Sequence, residues 1–194
     1  MESIISSPRD EQALAVRSKV DPNAFAALYD HYFPRIYSYA LYRLQDAQMA
    51  DDITAQVFEK TLANIERYQP ARGPFAAWIF TIARNEINKY LRARRFRRWV
   101  SLDTIAHQPI SDTPSVEEIV IWNEQLARLM PLLAELDERQ RDLLALKFGA
   151  GLTNRRIAEL TGLTESNVGV ILYRTLHHLR EKLREEDGYE EDKP

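Results

Sequence analysis

The chain has 194 residues, 45% apolar and 28% charged, with no cysteine, four histidines and a formal net charge of -3. These proportions describe an ordinary folded protein rather than a disordered one, and the lack of cysteine excludes disulfides and thiolate metal sites. No apolar run approaches the roughly 18–20 residues that span a bilayer, and Glu2, Arg9, Asp10 and Glu11 leave no signal-peptide core, so a cytoplasmic protein without membrane insertion is expected.

His31, His107, His177 and His178 show no HExxH-type pairing, so neither a metal nor another cofactor is expected. The mild net charge hides a sharp segregation. Arg84 to Arg98 holds seven basic residues against Glu86, or +6, whereas the last ten residues, EEDGYEEDKP, sum to -5.

Apolar residues recur at spacings of three and four, and no period-2 run is bounded by hairpin turns. The expected fold class is all-α: two small helical domains joined by a flexible linker, the C-terminal one a helix-turn-helix. Residues 1–20 read as a polar N-terminal tail. From Asp21, an N-cap followed by Pro22, a first helix extends to about Leu44, with Pro34 expected to kink or restart it. DAQMADDITAQVFEKTLANIERY forms a second, with Met49, Ile53, Val57, Leu62 and Ile65 as its apolar stripe. Its other face carries Asp46, Asp51, Asp52, Gln56 and Glu59, which suit either solvent or a protein partner with a basic helical surface.

QPARGP breaks the chain, and a third long helix follows from Phe75. Ile79, Phe80, Ala83, Ile87, Tyr90 and Leu91 share one side of it; Arg84, Asn85, Asn88, Lys89, Arg92 and Arg95 share the other. The second side is a cationic stripe able to track phosphates while offering amides to bases. Tyr68, Phe75 and Trp78 stand near the loop, where each aromatic either stacks on exposed bases or fills a core. Loop, aromatics and stripe together suit single-stranded or melting DNA better than a duplex clamp. The first domain is thus expected over 21–98.

Residues 99–114 lose the helical stripe and read as the linker. Helices resume over Ser115 to Glu135, Asp137 to Phe148, Thr153 to Thr161 and Thr164 to about Glu185, giving a second domain over 115–185 and an acidic tail over 186–194. Within it, a Thr153 cap, inward Ile157, Ala158 and Leu160, a turn at Gly162 with Leu163 filling the gap and a second cap at Thr164 form a helix-turn-helix pattern. The last helix separates Val168, Leu172, Thr175, Leu176, Leu179 and Leu183 from Ser166, Asn167, Val170, Tyr173, Arg174 and His177. The latter arc faces either a DNA groove or only solvent; Arg155, Arg156, Arg174 and Arg180 supply cations for phosphates.

Three blocks in order, AFAALYDHYFPRIYSYALYRLQDAQMADDITAQVFEKTL, FAAWIFTIARNEINKYLRARR and LDERQRDLLALKFGAGLTNRRIAELTGLTESNVGVILYRTLHHLREKL, resemble the sigma-seventy class of bacterial sigma factors, in its short extracytoplasmic-function group. The likeness runs from about Asn23 to Lys182 without the linker. It implies a factor, not an enzyme, that binds core RNA polymerase at the largest subunit's clamp helices and the flap region, directs it to particular promoters and helps melt the DNA. Asp51, Asp52, Gln56 and Glu59 then fall on the polymerase-binding surface. Tyr68, Trp78, Arg84, Asn85, Asn88, Lys89, Arg92 and Arg95 fall on the minus-ten surface, and Arg155, Ser166, Asn167, Val170, Tyr173, Arg174 and His177 on the minus-thirty-five surface. An anti-sigma factor is a further implied partner. Gly169 and Ile171 depart from the lysine or arginine of many relatives, which shifts the expected readout toward the neighbouring side chains and the backbone at Gly169.

Two other readings remain from the residues alone. A stand-alone helix-turn-helix regulator accounts for the second domain but leaves the acidic and aromatic-basic helices unexplained. A nucleic-acid-processing enzyme would need a nucleophile-base pair, a carboxylate cluster or a phosphate loop, and none is legible.

Overall fold

The computed structural model describes residues 8–100 and 129–186, and the chain divides into two compact units. Helices dominate both, and no strand occurs among the described residues. The expected linker beyond Val100, the helix start at Ser115 and the acidic tail beyond Glu186 lie outside the described residues.

The first unit contains helices α1 (Pro8–Arg17), α2 (Pro22–Leu44), α3 (Ala47–Asn64) and α4 (Phe75–Val100). Helix α1 corrects the expectation of a tail over 1–20. Pro8 opens it, Asp10 and Glu11 occupy its first turn and Arg17 its last, each favourable beside the helix dipole. Leu14 and Ala15 are buried, so this helix belongs to the core.

The Asp21 side chain caps α2 by accepting from Asn23 N at 2.9 Å, with Pro22 in the first turn. Arg17 Nη2 lies 2.9 Å from the same carboxylate; that bond, followed by the one from Asn23, holds the Asp21 carboxyl below its usual range. Helix α2 does not restart at Pro34 but continues through it to Leu44. It stops at Gln45, a left-handed residue at φ 56° whose amide reaches Leu41 O at 2.8 Å. Asp46 then caps α3 through Met49 N at 3.0 Å, so this carboxylate is part of the fold and not of the acidic face.

Ile53, Val57 and Ile65 are buried as the α3 stripe requires, but Leu62 is 54% exposed. Phe58 and Thr61 continue the stripe instead, because the inward face drifts across this helix. Thr54 and Thr61 satisfy their buried hydroxyls by donating to Ala50 O and Val57 O, both at 2.7 Å. Helix α4 completes the core with Phe75, Ile79, Phe80, Ala83 and Ile87, each large side chain contributing roughly 1.5–3 kcal/mol by leaving water.

The start of α4 has an unusual cap. Pro74 O accepts the first helical bond, from Trp78 N, but the proline ring has no group that can bond the free amides of the first turn. Glu11 of α1 supplies it, its Oε1 accepting from Ala76 N at 2.7 Å.

The second unit begins with α5, described over residues 129–135, and continues through α6 (Glu138–Leu144), a π turn (Ala145–Gly149), α7 (Asn154–Thr161) and α8 (Glu165–Glu186). The expected single helix from Asp137 to Phe148 is therefore α6 followed by a wider turn. Asp137 and Gln140 form a reciprocal capping box. From the same helix, Arg141 spreads its guanidinium over the end of α5, donating at 2.8 Å to each of Leu133 O, Ala134 O and Leu136 O. Those are carbonyls a helix terminus leaves without internal partners.

Candidate promoter and polymerase surfaces

Helix α3 exposes Asp51, Asp52, Gln56 and Glu59, with Ala55 between them, on the side away from Ile53 and Val57. Asp52, Gln56 and Glu59 are spaced by about one helical turn and Asp51 adjoins Asp52, so the three carboxylates lie on one exposed side of the helix. Leu62 extends it with an exposed apolar side chain. The adjoining layer is aromatic: Tyr29 and Phe58 ring centroids lie 4.5 Å apart, and Tyr29 and Phe33 lie 5.3 Å apart. Burial, followed by the Asp51 charge, raises the Tyr37 hydroxyl pKa.

The loop into α4 contains two short turns, Ile65–Arg67 and Pro70–Arg72. Tyr68, expected at the DNA, is only 2% exposed, and its hydroxyl donates to Gly73 O at 3.2 Å. Its ring meets Phe75 edge-on, with centroids 5.4 Å apart, and packs 5.5 Å from Trp78. Burial, reinforced by the Glu11 carboxylate, pushes its hydroxyl pKa up to about 12. Tyr68, placed by the sequence among the minus-ten residues, is thus an enclosed aromatic ring that supports the loop. Trp78 is half-buried against the same ring and Phe75, at the edge of this cluster.

Along α4, Asn85, Lys89, Arg92 and Arg95 are exposed, while Arg84 and Asn88 are half-buried. Asn85, Lys89 and Arg92 follow spacings of four and three, and so stack along one line of the helix opposite Ile87. Glu86, the sole acid of the basic stretch, is engaged by Lys60 Nζ at 2.6 Å, which leaves the stripe cationic. Tyr90 and Leu91, on the same side as Ile87 in the sequence reading, are half-buried.

Sequence reasoning missed two residues that support this surface. Glu11 is the cap described above. Arg43 is 3% exposed, and its Nη2 donates to Asn88 Oδ1 at 3.2 Å. The available signal was an arginine on an α2 face otherwise occupied by Tyr39, Ala40, Tyr42 and Leu44.

In the second unit, Thr153 caps α7, Gly162 takes the left-handed turn at φ 75°, and Thr164 Oγ1 accepts from Asn167 N at 3.2 Å. Ser166, Asn167, Val170, Tyr173, Arg174 and His177 are all exposed on α8, with Tyr173 at 71%. Val168, Leu172, Thr175 and Leu179 are buried as expected. On the same arc Leu176 is 38% exposed and Leu183 half-buried, because the short α7 covers only part of the longer helix. His177 Nδ1 lies 3.3 Å from Glu181 Oε2. On α7, Glu159 draws Arg156 to 2.6 Å and Arg155 to 3.5 Å, but Arg155 keeps 79% of its side chain exposed. A Cβ added at Gly169 would meet only Asn154 Nδ2, at 3.7 Å.

No group of acidic or histidine side chains suited to holding a metal occurs among the described residues, and no described helix is long and apolar enough to cross a membrane.

A helix with an acidic face, a cation-lined helix beside an aromatic loop, and a separate helix-turn-helix are features of a promoter-recognition factor. Sigma-70 region 2 matches residues 28–97 and Sigma-70 region 4 matches residues 126–179. The chain is 30% identical over 161 residues to the ECF RNA polymerase sigma factor SigL of Mycobacterium tuberculosis, covering 82% of this chain and 88% of that one. It is 28% identical over 169 residues to the ECF RNA polymerase sigma factor RpoE of Cereibacter sphaeroides, covering 87% and 91%. With BldN of Streptomyces coelicolor it shares 28% identity over 160 residues, 82% of this chain but 60% of that longer relative. The fold is that of CnrH, solved with the cytosolic domain of CnrY, at a TM-score of 0.66 and 22% identity over 89% of this chain and 96% of that one. The chain belongs to the ECF sigma factors of the sigma-70 family, and its work is promoter-specific transcription initiation with RNA polymerase. Such proteins are initiation factors rather than classical enzymes, and the stand-alone regulator is the less favoured reading because the region 2 match accounts for the first unit.

Proposed function

We propose that the chain divides initiation among three of its surfaces. Asp51, Asp52, Gln56 and Glu59 of α3 bind a basic helical surface of core RNA polymerase, where three carboxylates on one edge favour a cationic partner. Asn85, Asn88, Lys89, Arg92 and Arg95 of α4 engage the minus-ten element, with Arg84 and Trp78 at their flank. Ser166, Asn167, Val170, Tyr173, Arg174 and His177 of α8 read the minus-thirty-five element in the major groove, with Arg155 on its phosphates. The protein works where the polymerase is, in the cytoplasm.

The observation that carries this reading is the line of Asn85, Lys89 and Arg92 on the exposed side of a helix whose opposite side is core. Cations follow the backbone of a strand while an amide tests a base edge. Opening then uses binding energy: contacts to unpaired bases offset part of their unstacking cost, and no catalytic residue is required.

The relatives CnrH and RpoE from Bartonella quintana were solved with CnrY and with the anti-sigma factor NepR. An anti-sigma factor competing for the acidic edge of α3 or the stripe of α4 is the corresponding regulator here. Asn85→Ala tests the central assignment. Promoter opening with core polymerase falls by about tenfold or more, the cost of losing one amide-base contact, while core binding is unchanged. Loss of core binding together with opening would place Asn85 in the polymerase interface instead.

A further inference from the structure

A guanidinium carries only donors, so whatever faces Arg43 must accept. Arg43 comes from α2 and is 3% exposed, and its Nη2 reaches Asn88 of α4 at the oxygen, Oδ1, at 3.2 Å. Burying a charged side chain is costly unless it is bonded, and an apolar residue on this face of α2 would serve packing alone at less cost. The contact also fixes the orientation of the amide. With Oδ1 turned to a buried donor, Nδ2 is the group of the Asn88 amide left to face another partner.

We propose that Arg43 is a positioning residue for base selection: it holds Asn88 so that this side chain meets the minus-ten strand as a hydrogen-bond donor only. This rests on the minus-ten role of α4 proposed above. A free asparagine can pair with adenine through two bonds, donating to N7 and accepting from the N6 amino group. An asparagine whose oxygen is held inward loses the accepting half. The base opposite Asn88 is then chosen for a keto oxygen, O4 of thymine or O6 of guanine, over the exocyclic amino groups of cytosine and adenine.

The test uses the full-length chain with core polymerase on promoters randomised through the minus-ten element, scored by open-complex formation and by separate core binding. Asn88→Asp keeps an oxygen for Arg43, and so keeps the fold, but turns the outward donor into an acceptor. Opening of the preferred promoter drops at least tenfold with core binding unchanged, and the preference at one position moves from keto toward amino bases. Arg43→Met, which has no donor, frees the amide. Normalised to the folded fraction from circular dichroism, its base profile at that same position flattens, and Arg43→Lys, which still donates to Oδ1, restores much of the selectivity.

If Asn88→Asp opens the same promoters as the unaltered chain, Asn88 faces no base and the inference fails. If Arg43→Met loses stability but keeps the unaltered base profile, Arg43 is only structural and the inference fails again. An unaltered chain that binds core polymerase but opens no promoter would instead overturn the function proposed above.

Discussion

Replacing Glu11 should loosen the start of the helix that meets the minus-ten element, although residue 11 lies 65 positions before the amide it holds. Glu11→Ala removes the acceptor for Ala76 N, a 2.7 Å bond, at a helix start where Pro74 offers no side-chain substitute. A hydrogen bond to a charged group contributes about 1.5–3 kcal/mol net, and loss of an N-cap costs about 0.5–2 kcal/mol. Glu11 is half-buried, so the overlap of these ranges, about 2 kcal/mol, is the expected loss. For a unit of this size that is a fall in Tm of roughly 10 °C. Glu11→Gln keeps an oxygen and loses only the charge beside the helix dipole, about 0.3–1 kcal/mol. Urea denaturation followed by near-ultraviolet circular dichroism gives both values, and amide exchange at Ala76 locates the change. Equal losses for alanine and glutamine, or unchanged protection of the Ala76 amide, would refute the capping role.

Other outcomes follow from the same geometry. Arg141→Ala leaves three carbonyls at the end of α5 without their donor and should destabilise the second unit by about 2–3 kcal/mol, measured by urea denaturation; lysine, which has no planar fork, recovers only part. Tyr68→Phe should cost about 1 kcal/mol near pH 7 through the lost bond to Gly73 O, yet leave promoter opening intact, as a transcription assay on the variant would show. The Tyr68 pKa rises from 10.0 to about 12 on folding, so its contribution is intact below pH 10 and is lost as the pH climbs through 12; the phenylalanine variant should lose less stability across that interval. Arg155→Ala should weaken duplex binding about equally across sequences and lower the slope of log affinity against log salt by about 1, measured by fluorescence anisotropy.

Local signals encoded most of the helical framework. The caps Asp21, Thr153 and Thr164 and the Gly162 turn operate through backbone groups within a few residues, so spacing alone reveals them, whereas Asp46, which also caps through a nearby amide, reads in the sequence as one more carboxylate of the acidic face. Helix α1 carried the same kind of signal in Pro8, Asp10, Glu11 and Arg17, but its small apolar face made it resemble a tail. The surfaces were legible wherever exposure follows helical phase, as with Asn85, Lys89 and Tyr173. Tyr68 was not, because an aromatic beside a loop has the same sequence appearance inside or outside. Nor were the Glu11–Ala76 and Arg43–Asn88 bonds, whose partners are brought together only by packing of distant helices.

Gly169 gives the second unit room to change its target without changing its fold. The nearest atom to an added Cβ is at ordinary contact distance, and the backbone there is not left-handed, so nothing in the α7–α8 packing demands glycine. A helix interior is more stable with alanine by about 1 kcal/mol, and longer unbranched residues retain most of that gain. New side chains can therefore enter between Ser166 and Tyr173 with little conflict between folding and DNA choice. A single position of this kind lets duplicated copies of a gene diverge toward different promoters while each remains a folded protein.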